Sequence, residues 1–338
     1  MNSSSAAIAA KVRALYGRML TDQDWEKLCR CGNVRELTGI LRGLPAWKQA
    51  LDTLPVGETS TRAISDALWY QTADEYVRVY RFATLQDKQY LLFAAYRYEL
   101  SLILANLRRL LGRDARLNLF SEHAFFHEKC RVDEERINTC SDWEGLCRAA
   151  EKSVFAPALA ALKVGKDGLP DYPDADTVLE SRYYEAVFRF LMKQYSGTQK
   201  KRLAEYVGTQ ADLLNLAHLL RLKKYYPYTL ENSEGLLIPV RFHLTEGLVR
   251  AISAAPDADA VRRLLEQSRW SKAFADEHLV PERAYDRAMI GFCRRLLGCP
   301  EPGICTAQAY LTLKQIECRR LIRVIEAVRL GVEPRRVL

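Results

Sequence analysis

The stretch HAFFHEKC, residues 123–130, carries side chains with the spacing of metal ligands. His123 and His127 lie one helical turn apart, and Cys130 follows about a turn later, so a helix would bring the three near one another. Imidazole and thiolate groups in such an arrangement bind Zn²⁺ when a fourth ligand completes the tetrahedron. The sequence contains no Cys-x-x-Cys pair and no second histidine cluster. We therefore interpret the two histidines as ordinary packed or surface residues and predict no metal site.

The nine cysteines are an odd number and are scattered through helical contexts such as WEKLCR and IECRR. Cys29 and Cys31 are separated by one residue, so their side chains would point apart on a helix. Reduced thiols in a cytoplasm fit this distribution better than a disulfide framework does.

Motifs for catalysis and for phosphate binding are absent from the sequence. It contains no G-x-x-x-x-G-K-[ST] or G-x-G-x-x-G loop, which would hold phosphates on backbone N–H groups. It also lacks the G-x-S-x-G and H-E-x-x-H motifs of hydrolases. The sequence thus predicts a protein that is not an enzyme and that has no cofactor.

The composition is in the range of soluble globular proteins, with a small excess of basic residues. Of the 338 residues, 49% are hydrophobic and 27% are charged, and the net charge is +8. Basic residues alternate with acidic ones nearly everywhere, and without a basic cluster we predict no nucleic-acid partner. No run approaches the roughly 18 apolar residues of a membrane span. The N-terminus is a poor signal peptide, which predicts a cytoplasmic location.

Helical periodicity dominates the sequence from about residue 8 to residue 335, and strand signals are scarce. The sequence therefore predicts an all-α fold. Clusters of Gly, Pro and short polar residues, which end helices, mark the clearest breaks at 53–61, 163–177, 230–240 and 298–305.

Three types of helical segment recur along the chain in the same order. The block DWEKLCR at 24–30 returns as DWEGLCR at 142–148, and a looser third copy places Trp270 where Trp47 stands. An aromatic helix then follows in three versions, which read EYVRVYRF at 75–82, YYEAVFRF at 183–190 and YDRAMIGF at 285–292. Ordered recurrence of this kind indicates an internal triplication.

The third type of segment is an amphipathic stripe that ends in Arg or Lys. Its apolar side chains fall at i, i+3, i+4 and i+7, and an acid precedes the stripe as Glu99 in one copy and as Asp212 in another. The three stripes consist of Leu100, Ile103, Leu104 and Leu107, then Leu213, Leu216, Ala217 and Leu220, and then Leu321, Val324, Ile325 and Val328. From these repeats we predict three similar helical-bundle units at residues 1–118, 119–228 and 229–338.

Four stretches of the chain resemble the C subunit of the bacterial and archaeal V/A-type rotary ATPases, whose counterpart in the eukaryotic V-type enzymes is called the d subunit. They are KVRALYGRMLTDQDWEKL (11–28), DLLNLAHLLRLK (212–223), GLLIPVRFHLTEGLVRAI (235–252) and KQIECRRLIRVIEAVRLGVEP (314–334). The chain departs from the family pattern at Glu99–Leu102, where an Asn is expected, at Glu317–Arg320, and after Pro239, where glycines are expected.

The resemblance implies a funnel of three similar helical units arranged with pseudo-threefold symmetry. Such a protein would be a non-catalytic central-stalk component of a proton- or sodium-translocating complex. Its partners would be the shaft subunits D and F and the proteolipid subunits of the membrane rotor ring. It would lie at the cytoplasmic face as a peripheral protein, with membrane contact only through the ring.

Basic residues at the ends of the three stripes are the candidate contacts to an acidic partner surface. The alternative is that they balance the dipoles of their own helix C-termini. A second alternative, for the whole chain, is a free-standing helical scaffold or adaptor that binds protein partners. The candidate interface residues are Arg108, Arg109, Arg221, Lys223, Lys224, Arg319 and Arg320.

Overall fold

The structure, a computed structural model, describes most of the 338-residue chain, namely residues 3–113, 123–225, 237–274, 280–299 and 303–338. This described part is α-helical and contains no β-strand. Apart from the helices it has one isolated β-bridge, between Val164 and Pro170. The predicted all-α fold class is therefore confirmed.

The helices differ widely in length, and the long ones are those that carry the predicted stripes and aromatic segments. The helices up to residue 161 are α1 (Ser3–Tyr16), α2 (Asp22–Cys29), α3 (Val34–Gly43), α4 (Lys48–Asp52), α5 (Thr61–Phe82), α6 (Leu85–Leu91), α7 (Phe93–Leu110), α8 (Ala124–Lys129), α9 (Glu134–Thr139), α10 (Trp143–Ala149) and α11 (Ala156–Ala161). The later ones are α12 (Tyr172–Gln194), α13 (Gly197–Tyr225), α14 (Glu246–Ala254), α15 (Ala258–Glu266), α16 (Ser271–Phe274), α17 (Pro281–Leu297) and α18 (Ile304–Arg329), with a 3₁₀-helix at Pro334–Val337.

Side-chain caps explain where many of these helices begin. A Ser, Thr, Asp or Asn at the N-cap accepts a hydrogen bond from a backbone N–H in the first turn, which stabilises a helix by about 1 kcal/mol. Caps of this kind in the described chain are Thr21, Asn33, Ser60, Asp133, Asp142, Asp171, Thr245 and Asp257. The Asp171 cap starts α12 inside the predicted break at 163–177, because Pro173 is compatible with the first turn of a helix.

The described residues form two compact units. The first comprises those of Met1–Lys88, Asn118–Glu128 and Ile290–Leu338, and the second those of Gln89–Leu117 and Lys129–Met289. In the first unit α18 packs against α5, α1 and α3, so the beginning and the end of the chain belong to one packed body. In the second unit α12 packs against α7 and α13. The division into three units at 1–118, 119–228 and 229–338 stays a prediction.

All three predicted stripes are packed in the interior. Leu100, Ile103, Leu104 and Leu107 belong to one cluster of buried side chains around α7. The four stripe residues of α18 are buried as well. Of the four stripe residues of α13, three are buried and Leu220 is half-buried. The periodicity therefore identified the correct faces of the three helices that carry the stripes, and burial of these faces contributes to the hydrophobic stabilisation.

Candidate functional site

Arg109, one of the predicted interface cations, is bonded to a neighbouring helix. Its Nη2 donates to the carbonyl oxygens of Ile137, at 3.1 Å, and Cys140, at 2.8 Å, and its Nε donates to Asn106 at 3.0 Å. Cys140 is the C-cap of α9, so the guanidinium satisfies carbonyl groups that have no partner within that helix.

Lys223 has a similar role on α13. It is buried, and its Nζ donates at 2.7 Å to the carbonyl of Ser253, in the last turn of α14. Arg109 and Lys223 thus donate to carbonyl groups at the C-terminal ends of neighbouring helices, whereas the dipole interpretation concerned the C-termini of their own helices. The side chain of Lys224 lies outside the described residues.

The other predicted cations have different surroundings. The guanidinium of Arg108 lies 4.7 Å from the ring centre of Tyr172. Burial and the charge of Glu180 raise the pKa of Asp176 to about 6, and the positive charges of Arg97, Arg108 and Arg221 act in the opposite direction. Arg320 lies with its guanidinium 4.5 Å from the ring centre of Trp25, and Arg319 is half-buried on the same helix.

Glu99 of α7 holds the chain segment that leads into α9. The carboxylate is fully buried, and its Oε1 accepts a 2.7 Å hydrogen bond from the backbone N–H of Arg131, two residues before the N-cap Asp133. Oε2 is buried with no hydrogen-bond partner among the described residues. Burial raises the pKa of Glu99 to about 7, against the opposing effects of the Arg131 N–H and charge. We call this contact the first joint.

Asp212 of α13 repeats this contact 113 residues later. It too is fully buried, and its oxygens accept bonds from three successive backbone N–H groups, those of Phe242 at 3.0 Å, His243 at 2.6 Å and Leu244 at 3.1 Å. The N-cap of α14, Thr245, follows directly. Burial raises the pKa of Asp212, and the three N–H groups act in the opposite direction. We call this contact the second joint.

Glu317 of α18 makes the third joint, with the beginning of the chain. Its Oε2 accepts a 2.9 Å hydrogen bond from the backbone N–H of Leu20, which is 297 residues away and immediately precedes the N-cap Thr21 of α2. Burial raises the pKa of Glu317, while the charge of Lys314 and the Leu20 N–H lower it.

The three joints share one geometry. In each, a buried carboxylate on a long helix accepts backbone N–H groups just ahead of a shorter helix, where the N-terminal end of the helix dipole favours negative charge. In the first two joints a cation follows on the same long helix, ten residues after Glu99 and eleven after Asp212. At 1.5 Å per residue this separation is roughly 15–17 Å, enough to span the shorter helix and its flanks. The recurring acid was visible in the sequence, but its partner was not.

Lys314 is the centre of a buried charged cluster beside the third joint, which sequence reasoning missed. Its Nζ lies 3.1 Å from the carbonyl of Ala46, 3.3 Å from Glu317 and 3.6 Å from Glu75, and 3.5 Å from the ring centre of Trp47. The indole of Trp47 donates to Glu317 at 3.0 Å. One lysine thus stands between two buried carboxylates, and a lysine inside an apolar-looking helix gave no sign of this.

Further hydrogen bonds connect this cluster to α5. The Tyr310 hydroxyl donates to Glu75, whose other oxygen accepts a 3.1 Å bond from Gln71. Gln71 also donates to the carbonyl of Ala46 at 2.6 Å and accepts from the N–H of Ala50 at 2.7 Å. Buried polar groups that are bonded in this way hold elements in one arrangement, because any other would leave them without partners.

A cavity of about 240 Å³ borders the third joint in the first unit. Its walls come from the turn between α1 and α2, from α17 and from α18. Apolar and basic side chains line it together, and Leu20 and Glu317 of the third joint form part of the wall.

The histidines and the cysteine of the HAFFHEKC stretch do not form a metal site. His123 lies against Tyr70, with ring centres 5.0 Å apart, and its Nδ1 accepts the N–H of Phe125 at 3.2 Å. Cys130 donates to the carbonyl of Val132 at 3.6 Å. Within the described ranges no group of three or more His, Cys, Asp and Glu residues is placed to hold a metal ion. None of the helices described is both long enough and apolar enough to span a bilayer.

Comparison with known proteins gives one family and several relatives. The family model described as ATP synthase (C/AC39) subunit matches residues 8–338. The C subunit of the A-type ATP synthase of Methanobrevibacter smithii is 24% identical over 345 residues, covering 95% of this chain and 83% of that protein. The protein of the same name from Methanosphaera stadtmanae is 22% identical over 340 residues, covering 92% and 80%. That from Methanothermobacter thermautotrophicus is 23% identical over 283 residues, covering 79% and 66%.

Proposed function

The chain belongs to the ATP synthase (C/AC39) subunit family, and from this membership we propose that it is the non-catalytic central-stalk component of a V/A-type rotary ATPase. In this role it would be the socket that couples the shaft of subunits D and F to the membrane rotor ring. The match along residues 8–338 is the observation that carries the proposal. The names of the three archaeal relatives support the same complex.

The packing of the described residues suits a part that transmits torque. Close-packed interiors deform little under strain, so a rotation applied at one end reaches the other. Buried hydrogen-bonded acids on α7, α13 and α18 add connections that cannot slide without leaving polar groups unpaired. A catalytic protein would instead need a cleft with reactive groups, and ATP would be bound by other members of the complex.

In the proposed funnel of three similar units, the three joints would connect successive units. The first joint would link unit one to unit two, the second would link unit two to unit three, and the third would link unit three back to unit one. The 297-residue separation between Leu20 and Glu317 is what favours such a closed arrangement. A closed ring resists twisting better than an open chain of units, which fits a socket around a rotating shaft.

Contacts to acidic groups of the partners are proposed for the other five predicted cations. These are Arg108, Arg221, Lys224, Arg319 and Arg320. The location proposed is the cytoplasmic face of the membrane, with contact to the bilayer only through the ring subunits.

Reconstitution tests the proposal directly. The full chain is mixed with a cognate D–F complex at low salt and analysed by size-exclusion chromatography, and then with the detergent-solubilised ring. We expect co-elution in both cases, and a ternary assembly when all are present. A chain that elutes alone in both experiments contradicts the stalk role and favours the helical adaptor as the function.

A further inference from the structure

The second joint contains a tight aromatic contact that the third joint lacks. Phe242 stands three residues before the N-cap Thr245, and Gly208 stands four residues before Asp212 on α13. The two touch so closely that a Cβ on Gly208 would lie 2.4 Å from the Cβ of Phe242. At the second joint, therefore, a phenyl group fills the space between the incoming segment and the long helix.

The corresponding positions of the third joint are occupied differently. Arg18 stands three residues before the N-cap Thr21, and it is exposed. Leu313 stands four residues before Glu317 on α18, and it lines the cavity of about 240 Å³. At the third joint neither of these positions holds an aromatic residue, and a cavity lies beside Leu313.

The walls of this cavity fit an aromatic group of comparable size. An apolar cavity of about 150 Å³ accommodates benzene, so this one has room for a ring with a short side chain. The apolar lining is contributed by Met19, Trp25, Ile290, Leu313 and Ile316.

Two basic groups stand in the polar part of the wall. Arg294, which is exposed, and Arg320, which lies over Trp25, both line the cavity. The acid in the wall, Glu317, is already engaged by Leu20, Trp47 and Lys314, so its charge is balanced from the protein side. A guanidinium pairs best with a planar carboxylate, to which it donates two parallel hydrogen bonds.

We propose that this cavity is a binding site for an aromatic carboxylate, whose ring takes the space beside Leu313 and whose carboxylate pairs with Arg294 and Arg320. The same chemistry is offered by a free aromatic acid and by the C-terminal phenylalanine of another chain. The ligand would strengthen the third joint, because it packs against the Leu20 segment and α18 together. The site does not depend on the stalk role.

Indole NMR of the full chain tests the site. The five tryptophans are labelled with ¹⁵N, and 3-phenylpropionate is titrated into the protein. We expect a saturable shift of the Trp25 signal, while the signal of Trp143, in the second unit, does not move. Acetate, which has no ring, and 3-phenylpropanamide, which has no charge, are the matched probes, and neither should saturate in the same range.

Variants of the protein then test the contacts to the carboxylate and to the ring of the ligand separately. Arg294→Gln and Arg320→Gln should each weaken 3-phenylpropionate binding by about tenfold, since each removes a charge-assisted hydrogen bond. Leu313→Phe fills the cavity and should abolish the shift. Arg294 is exposed, so its variant remains informative if the Leu313 variant does not fold. Acetate shifts equal to those of the aromatic acid, no saturation, or unchanged binding by both arginine variants would overturn the proposal.

A comparison with short peptides identifies whether the carboxylate comes from a small molecule or from the C-terminus of another chain. Gly-Gly-Phe as a free acid is compared with its C-terminal amide and with 3-phenylpropionate. Tighter binding of the peptide acid supports a chain terminus as the ligand, and tighter binding of 3-phenylpropionate supports a small metabolite. Equal binding of the peptide amide counts against the site as described.

Discussion

Glu317 and Trp47, 270 residues apart in sequence, are joined by a 3.0 Å hydrogen bond from the indole to the carboxylate. The same carboxylate accepts a hydrogen bond from the backbone N–H of Leu20 and lies 3.3 Å from the Nζ of Lys314. The last long helix therefore holds two separate segments from the beginning of the chain. Glu317, Trp47 and Lys314 are buried and Leu20 is half-buried, so loss of the carboxylate would leave polar groups in the interior without a partner.

Replacement of Lys314 by methionine should destabilise the first unit strongly. Without the cation, Glu75 and Glu317 would remain buried without a balancing charge, an effect of about 3–5 kcal/mol. Because burial already raises the pKa of Glu317, the loss should be larger at pH 8 than at pH 5. Urea unfolding at both pH values measures it, and Lys48→Met, at an exposed ion pair, is the control, expected within about 1 kcal/mol. Equal effects of the two variants would show that the cluster contributes little.

Asp212→Ala should destabilise the second unit by about 2–4 kcal/mol, because it leaves three backbone N–H groups without an acceptor. Faster hydrogen exchange at Phe242, His243 and Leu244 should accompany the loss. The matched control is Asp66→Ala, which removes an exposed carboxylate 3.9 Å from Arg62. A change in stability no larger than that of the control would mean that the second joint is dispensable.

The stability of the second unit should fall as pH rises, partly through Glu99. Its pKa is raised by burial from 4.5 to about 7, so the folded state binds a proton that the unfolded state releases between these values. The contribution of Glu99 to the stability of the folded state is fully present below about pH 4.5 and is lost as the pH rises through about 7. The melting temperature of Glu99→Gln should rise relative to that of the wild type as the pH is raised from 4.5 to 8. The exposed Glu135→Gln is the control, and parallel curves for wild type and Glu99→Gln would refute the assignment.

Gly208→Ala should destabilise the second joint by about 1–3 kcal/mol, because the new methyl group meets the ring of Phe242. The companion change Phe242→Gly removes the ring and also the Cβ that would lie 2.4 Å from the new methyl group, and it should rescue part of this loss in the double variant. Gly39→Ala, on a helix where a Cβ has nothing within 4 Å, is the control. Additive effects of the two changes, measured by urea unfolding, would show that the residues do not interact.

Substitutions of Arg109 and Arg221 should distinguish an effect on stability from an effect on partner binding. Arg109→Ala removes bonds to the C-terminus of α9 and should lower stability by about 1.5–3 kcal/mol in the isolated chain. Arg221→Gln, which removes the charge without adding an acid near Asp176, should lower the melting temperature less than Arg109→Ala does and should weaken binding of the D–F complex. Calorimetry of the free variants and size exclusion with D–F measure the two effects. Normal binding of the D–F complex by Arg221→Gln would exclude this arginine from the proposed interface.

The sequence determined the helical class, the apolar faces and the order of the recurring segments, because these depend on local periodicity. The stripe of α7 is an example, since each of its four residues belongs to one buried cluster. The acids at 99 and 212 were also recognisable as equivalent, because their 113-residue spacing equals that of the stripes they precede.

Identical residues nevertheless received different local roles. Asp24 of DWEKLCR is inside α2 and closes a capping box with Thr21, whereas Asp142 of DWEGLCR is itself the N-cap of α10. The first copy has a threonine three residues earlier that begins the helix, and in the second copy Thr139 is the last residue of α9. Context outside the repeated block thus decided where each helix starts.

Which distant groups meet depends on how the helices pack. Nothing in the spacing of Lys314, Glu75 and Trp47 indicates that they share one buried cluster, since their separations follow from how α18 packs on α5. The division of the basic residues between internal bonds and exposed surface also needed coordinates. Periodicity fixes which face of a helix is apolar, whereas the partner of a buried charge depends on contacts between elements far apart in the chain.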